Sequence, residues 1–382
     1  MFHSIAAVVG TGFIGPVHVE GLIRAGVRVA GILGSSPEKS LAAANQLGLE
    51  RGYASLEELL ADPNVQVVHI ASPNRAHYPQ VLQCLAAGKH VLCEKPLAMN
   101  SQESQSLVDA ATKSGLVCGV NYNIRFYPLC IEAAAKVQRG ELGNLFHITG
   151  SYTQDWLLHS TDFNWRVKSE EGGPLRALAD IGTHWLDLIQ NISGLEVESV
   201  VADLQTVYPI RKTPIGGAKT FTTGHETTAL ENTPVDTEDY GCVMLRFCGG
   251  AHGVLYVSQV TAGKKNSLQF EIAGERCSLS WNSQSPNRLW IGRRDAGNTE
   301  LIRDPSLMSP EARLHSTYPG GHNEGFPDTF KQLFRSFYAH IESDRKAKPR
   351  FPSFQDGHRE ILLCEAILES SKKGTWISVT RS

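Results

Sequence analysis

The sequence predicts an α/β chain: an N-terminal doubly wound parallel sheet followed by an α+β domain with a large, mainly antiparallel open sheet. Three observations carry this. A length of 382 residues exceeds what one hydrophobic core usually organises, so two domains are expected, 1–125 and 126–382. Over residues 4–122, β-branched runs alternate with stretches of helical periodicity, the mark of parallel strands joined by crossover helices. The runs are Ile5–Val9, Val27–Leu33, Val65–Ser72, His90–Cys93 and Val117–Asn121. The helical stretches are Pro16–Ala25, Pro37–Leu47, Leu56–Leu60, Tyr78–Ala87 and Ser101–Ser114. Beyond residue 125 the pattern changes to one helix, Cys130–Gln138, and then strands of alternating polarity. These are Leu145–Tyr152, Glu198–Tyr208, Tyr240–Phe247, Gly253–Val260, Leu268–Ala273 and Arg276–Trp281, with a glycine turn at Cys248–Ala251. Pro209–Pro234 and Arg303–Asn323 read as long loops, and Phe326–Ser343 and Gln355–Lys372 as closing helices.

A formal charge of -3, from 36 basic and 39 acidic residues, offers no surplus for a phosphate backbone and argues against nucleic acid as partner. No apolar run reaches the roughly 20 residues of a membrane span, and the N-terminus lacks signal-peptide features. A soluble, cytoplasmic protein is expected. Eight scattered cysteines show no zinc spacing, so no metal is expected and the thiols should be reduced.

Gly10-x-Gly12-x-x-Gly15 directly follows an apolar strand and opens a helix, a context that turns a common pattern into a dinucleotide site. Phe13 and Ile14 complete the turn, whose helix N-terminus faces the pyrophosphate. At the end of the second strand, where NAD enzymes commonly place an acid, the chain has Ser35, Ser36 and, just inside the next helix, Lys39. That set accepts a 2′-phosphate and leans toward NADP; Glu38 keeps NAD open. Ser72, Pro73 and Asn74 end another strand and line the same edge, while His77 either meets the nicotinamide-side ribose or belongs to the next helical turn. Glu94-Lys95-Pro96 sets two charges on the next edge loop: Lys95 suits a developing oxyanion and Glu94 a cofactor ribose. Asn123 is grouped with the cofactor residues.

In the second domain Asp180 and His184 stand at i, i+4, one turn apart on a helix anchored by Leu178, Ile181, Trp185 and Leu188. The pair reads either as proton-transfer machinery or as a buried structural pair. Tyr152, Gln154 and Asp155 at a strand end suit hydroxyl recognition, and Trp156 or Trp165 suits either a sugar face or packing. Arg166 is in reach of a cofactor amide or a substrate; Trp165 and Arg166 are grouped with the cofactor and His322 with the substrate. Arg176 interrupts the glycine-rich approach to Asp180 with no partner that the sequence identifies.

Gly10-x-Gly12-x-x-Gly15, Glu94-Lys95-Pro96 and Asp180-x-Gly182-x-His184, in this order, resemble the Gfo/Idh/MocA oxidoreductase family, whose members include glucose-fructose oxidoreductase and inositol dehydrogenase. The resemblance spans essentially the whole chain. It implies a Rossmann domain, a C-terminal domain whose open sheet supports homodimers or homotetramers, and three roles. Lys95 matches the catalytic lysine, Asp180 the substrate-orienting acid and His184 the proton-transfer residue. The stretch from Tyr152 to Trp156 with Asn164-Trp165-Arg166 resembles a sugar- or glycoside-oxidising branch. The expected reaction is hydride transfer between a secondary hydroxyl of a sugar, polyol or glycoside and NADP or NAD. Redox-assisted glycoside cleavage and non-catalytic nicotinamide sensing are the alternatives.

Overall fold

The computed structural model describes residues 2–214 and 230–380. Its residues form two compact units: one runs to Asn123 and adds Phe326–Ile361, the other comprises Ile124–Gly325 and resumes at Leu362.

In the first unit, strands β1 (Ala6–Val9), β2 (Val29–Leu33), β3 (Arg51–Tyr53), β4 (Val67–Ile70), β5 (His90–Cys93) and β6 (Cys118–Val120) alternate with helices α1 (Ile14–Ala25), α2 (Pro37–Leu47), α3 (Leu56–Ala61), α4 (Asn74–Ala86) and α5 (Ser101–Ser114). The strands pair in parallel in the order β3-β2-β1-β4-β5-β6, so chain direction across the sheet reverses between β1 and β4. At such a switch point the loops after the two strands diverge and leave room for a ligand. The sequence reading misses β3, whose Arg-Gly-Tyr stretch is too short for periodicity; Gly52 is needed because a Cβ there would come within 2.5 Å of the Ser40 backbone.

The boundary expected at 125 leaves out one segment of this unit. Helix α10 (Phe326–Ile341) packs on α1, whereas its place late in the chain assigns it to the second domain. A Cβ on Gly21 would lie 2.8 Å from the Phe334 ring, which explains how closely these helices approach. Asp328 of α10 is salt-bridged to Arg24 of α1.

The second unit begins with α6 (Pro128–Gln138) and β7 (Leu145–Thr153), followed by α7 (Ser169–Gly172), α8 (Thr183–Ser193), β8 (Val197–Gln205), β9 (Ile210–Pro214) and β10 (Leu230–Pro234). Then come β11 (Tyr240–Phe247), β12 (His252–Ser258), β13 (Ser267–Gly274), β14 (Ser278–Asn282), β15 (Arg288–Gly292), β16 (Thr299–Ile302), α9 (Pro310–Arg313), α11 (Phe354–Lys373, shared with the first unit) and β17 (Ile377–Ser378). Among the described residues β7, β8 and β11–β17 make one nine-stranded sheet ordered β16-β15-β14-β13-β7-β12-β11-β8-β17. Every pair is antiparallel except β7 with β12. Gly249 and Gly250 turn the β11–β12 hairpin at φ of 93° and 94°.

Two loop expectations change. Pro209–Pro234 contains the antiparallel pair β9–β10, and its middle, residues 215–229, lies outside the described residues. Arg303–Asn323 holds the short α9 and is tied down by a buried ion pair, Arg303 Nη1 to Glu324 Oε2 at 3.0 Å, with further Arg303 bonds to the Tyr318 and Pro319 carbonyls. Among the described residues no helix is long and apolar enough to cross a membrane, and no disulfide joins any of the eight cysteines.

Candidate active site

The turn after β1 is shaped by its glycines. Gly10 has a φ of 120°, and a Cβ there would strike the Ala71 carbonyl at 2.3 Å. One on Gly15 would lie 1.9 Å from the Gly10 carbonyl oxygen. A Cβ on Gly12 would meet nothing within 4 Å and would project into open space. Helix α1 starts at Ile14 behind an exposed Phe13, with no side-chain cap and no acid in its first turn. Its first N–H groups suit an anion. After β2, Ser36 caps α2 by accepting the Lys39 N–H, and the exposed Lys39 ammonium donates to Ser35 Oγ at 3.0 Å. After β4, Ser72 Oγ donates to Gln80 Oε1 at 2.6 Å, Pro73 is exposed and Asn74 is buried at the start of α4.

Three residues expected at the cofactor face inward instead. His77 is fully buried, with Nδ1 2.7 Å from the Pro96 carbonyl and Nε2 2.9 Å from that of Ser72. It ties the β4 and β5 edge loops together, and burial lowers its proton affinity. Asn123 is buried and donates to Thr329 Oγ1 on α10 at 2.7 Å. Glu94 is neither a surface partner of Lys95 nor turned outward. Its Oε1 accepts from His18 Nε2 at 2.9 Å and from the Asn121 amide, and its Oε2 accepts the Lys95 N–H at 3.2 Å.

That carboxylate ends a buried chain. His18 Nδ1 is 3.0 Å from His69 Nδ1, and His69 Nε2 is 3.1 Å from the Tyr338 hydroxyl. An ionised Glu94 requires a proton on His18 Nε2; with a second proton on Nδ1, His18 donates to His69 and His69 to the Tyr338 oxygen, and without it the order runs from Tyr338 through His69 to His18. Burial alone would raise the Glu94 carboxyl, but the His18 bond and charge, the Lys95 charge and the Asn121 amide hold it down to about 2. Lys95 follows this anchored carboxylate on the carboxyl edge of β5, partly exposed. Cys93, fully buried at the end of β5, has its thiol pushed up by burial and is no nucleophile.

In the second unit Asp180 sits on a π-helical turn, Leu178–Gly182, that runs directly into α8, where His184 is buried. Such turns recur where a side chain must be re-aimed. The segment is locked by its apolar face: Leu178, Ile181, Trp185 and Leu188 are buried, and Trp185 Nε1 donates to the Gln269 carbonyl at 2.9 Å. Asp180 Oδ2 accepts from Gln259 Nε2 at 2.9 Å, and its Oδ1 is 3.4 Å from Arg166 Nε. The guanidinium of Arg166 also stacks over Trp165, 4.3 Å from the ring centroid. Arg166 and Trp165 thus belong to the surroundings of Asp180. At the end of β7 the buried Tyr152 donates its hydroxyl to Asn266 Oδ1 at 2.7 Å, and Gln154 Nε2 donates to the same oxygen at 2.9 Å. Burial and the charge of Asp180 push the Tyr152 phenol up. The Tyr152 and His184 rings are 6.3 Å apart.

Two substrate expectations change here. Asp155 is turned onto Lys265, at 2.7 Å, and the Gly263 N–H, so it holds a surface turn. His322 is exposed, its Nδ1 3.3 Å from the Gly320 carbonyl, within the loop that Arg303 ties down. Trp156 donates its Nε1 to Gln154 Oε1 at 2.8 Å and packs beside Leu157, Val167 and Val235. Among the described residues no His, Cys, Asp and Glu cluster could hold a metal ion.

Family models match both parts of the chain: residues 5–122 fit the oxidoreductase family with NAD-binding Rossmann fold, and residues 131–280 fit the Gfo/Idh/MocA C-terminal domain. The chain belongs to the Gfo/Idh/MocA oxidoreductase family. It is 30% identical to levoglucosan dehydrogenase of Pseudarthrobacter phenanthrenivorans over 348 residues, covering 90% of this chain and 88% of the relative. It is 30% identical to myo-inositol 2-dehydrogenase of Thermotoga maritima over 366 residues, covering 95% of each. Among solved structures, levoglucosan dehydrogenase superposes with a TM-score of 0.91 in its apo form, at 28% identity, and 0.89 in complex with NADH and L-sorbose, at 27%, each over 100% of both chains.

Within this Gfo/Idh/MocA fold the sequence reading misses His18, His69, Asn121, Tyr338, Gln259 and Asn266. His69 carries a usable signal, a histidine in the otherwise apolar strand Val67-Val68-His69-Ile70. The others are polar residues far apart in sequence whose meeting depends on tertiary packing.

Proposed function

We propose that the protein transfers a hydride between a secondary hydroxyl of a sugar, polyol or glycoside and a nicotinamide dinucleotide, with Lys95, Asp180 and His184 as its catalytic residues. The residues fit such a cofactor: the space in front of Gly12 is clear and the α1 N-terminus is uncapped. Bound nicotinamide supplies the hydride acceptor or donor. What carries the reading is a lysine on the same carboxyl edge of the parallel sheet as the glycine turn, its backbone fixed by a buried carboxylate.

Lys95 holds negative charge on the substrate oxygen, most effectively where water is excluded. Asp180 accepts a hydrogen bond from the substrate hydroxyl and orients it. His184 takes the hydroxyl proton in oxidation and returns it in reduction. Tyr152, Gln154 and Asn266 form a polar row suited to further hydroxyls, and the relatives' names support a sugar or polyol as substrate.

At the adenosine end Ser35, Ser36 and Lys39 favour the 2′-phosphate of NADP. NAD is the second reading, supported by the NADH complex of the related levoglucosan dehydrogenase and by Glu38 in the first turn of α2. The exposed apolar face of the nine-stranded sheet, where Met244 pairs with Val254 beside Tyr256, supports a homo-oligomer. The free thiols support a reducing, cytoplasmic setting.

The test is nicotinamide absorbance against a panel of sugars, polyols and glycosides, run separately with NAD and NADP. Cofactor reduction with formation of a keto-sugar is expected. Sugar release without net cofactor change would mark redox-assisted cleavage, and binding without turnover a sensor. Lys95→Ala should abolish turnover while cofactor binding stays measurable; unchanged turnover removes Lys95 from the mechanism.

A further inference from the structure

Arg176 is fully buried, which for a guanidinium demands acceptors for its N–H groups. Its Nε donates to Thr237 Oγ1 at 3.2 Å, its Nη1 to Gln259 Oε1 at 3.0 Å and its Nη2 to Asp239. Asp239 is itself fixed by Arg211 Nη2 at 2.6 Å and by the N–H groups of Val207 and Tyr208 at 2.8 and 3.2 Å. The neighbouring Glu238 accepts the backbone N–H groups of Arg176 and Leu178, at 2.9 and 2.8 Å, and pins the start of the π-helical turn.

The orientation of Gln259 follows. A guanidinium has no acceptor, so the amide oxygen must face Arg176 and the NH₂ group must face away from it. There it meets Asp180 Oδ2 at 2.9 Å and lies 3.4 Å from Gln154 Oε1. Asp180 Oδ2 is therefore offered a donor and not a second acceptor.

We infer that Arg176 and Gln259 are positioning residues, a buried strut from Asp239 through Arg176 and Gln259 that fixes the Asp180 carboxylate as the acceptor for the substrate hydroxyl. The inference rests on the proposed role of Asp180. It also accounts for Arg176 in the glycine-rich approach, since the guanidinium sets which end of the Gln259 amide faces the site. The other groups placed against Asp180 are Arg166 from the turn at Trp165–Val167 and Tyr152 from β7. Both remain in the variants below, so differences isolate the strut.

Removing Arg176 would leave Thr237, Asp239 and Gln259 each short of a buried donor at once, so Gln259 is the residue to change. Gln259→Glu keeps length and the contact with Arg176 but turns a carboxylate oxygen toward Asp180. With levoglucosan, myo-inositol and D-glucose as probes, kcat should fall at least about tenfold and the acid limb of kcat/KM should move up by about one pH unit. NADH affinity, read by fluorescence, should stay within about twofold, because the strut and the glycine turn belong to different units. An unchanged profile in Gln259→Glu beside an inactive Asp180→Ala would overturn the strut and leave the proposed reaction standing. An active Asp180→Ala would overturn the role of Asp180 and the strut with it. A readout independent of turnover is the Gln259 side-chain amide in protein labelled with ¹⁵N-glutamine, assigned by its loss in Gln259→Glu. The signal should shift in Asp180→Ala; an unmoved signal refutes the contact.

Discussion

His69 offers a test of the buried chain beneath Glu94 that needs no substrate. It has no exposed surface on β4, and burial, reinforced by the nearby His18, holds its proton affinity well below the usual 6.5. The groups around it are His18, the Tyr338 hydroxyl and, through His18, Glu94. The unfolded chain takes up a proton near pH 6.5 and the folded chain does not, so this residue costs stability as pH falls below that value. From pH 7 to pH 5 the loss is about 2 kcal/mol for one such group. His69→Gln should start about 1–3 kcal/mol less stable at pH 7, from disturbed buried hydrogen bonds, yet lose about 2 kcal/mol less than the wild type on the way to pH 5. His90, held down to about 4 mainly by burial, and His77 titrate alike in both proteins and cancel. All six tryptophans lie in the other unit, so their fluorescence does not report on this one. The assay is amide exchange by mass spectrometry on peptides covering β1, β4 and β5. An equal loss between pH 7 and pH 5 in the two proteins would refute a His69 kept neutral by its surroundings.

Three further outcomes are expected. Gly15→Ala, whose Cβ would sit 1.9 Å from the Gly10 oxygen, should weaken nicotinamide binding at least about tenfold, measured by titration; undiminished affinity would detach the turn from the cofactor. Lys39→Glu should raise the KM for NADP by about tenfold and leave that for NAD within about twofold; equal effects would make Lys39 a solvated helix residue. Val254→Glu sets a charge in the exposed apolar row of the nine-stranded sheet, and light scattering should report a smaller species; an unchanged mass would put any self-association elsewhere.

The sequence makes legible whatever repeats or punctuates. Helices Pro37–Leu47 and Ser101–Ser114 and strands His90–Cys93 and Tyr240–Phe247 have the expected bounds, because caps, glycines and alternation mark them locally. Strands β15 and β16 escape, being only five and four residues long, β16 with no buried residue to mark a face. The candidate site divides the same way. Gly10, Gly12 and Gly15 are readable because each answers to backbone geometry within a few residues or across one strand. Whether a polar side chain faces out or in is not local. His77 and Asn123 turn inward because the Pro96 carbonyl and Thr329 wait there, and those partners come from another loop and from a helix more than 200 residues on.

The same physical fact bears on how the two proposed ends of the chemistry are built. The side chain behind Lys95 is a carboxylate held by histidine, asparagine and backbone, while on the buried side of Asp180 stands a guanidinium that reaches it only through a neutral amide. Arg166 already lies 3.4 Å from one Asp180 oxygen on the more exposed side. A second, buried arginine in direct contact would bind the other oxygen strongly and compete with a hydroxyl for it; an intervening glutamine transmits orientation with a weaker, neutral hydrogen bond. Such a carboxylate stays fixed in direction yet available to a ligand. Gln259 is as deeply buried as Arg176, so what separates the proposed acid from the guanidinium is the order of the two side chains, and exchanging their places would fasten that acid directly to a buried charge.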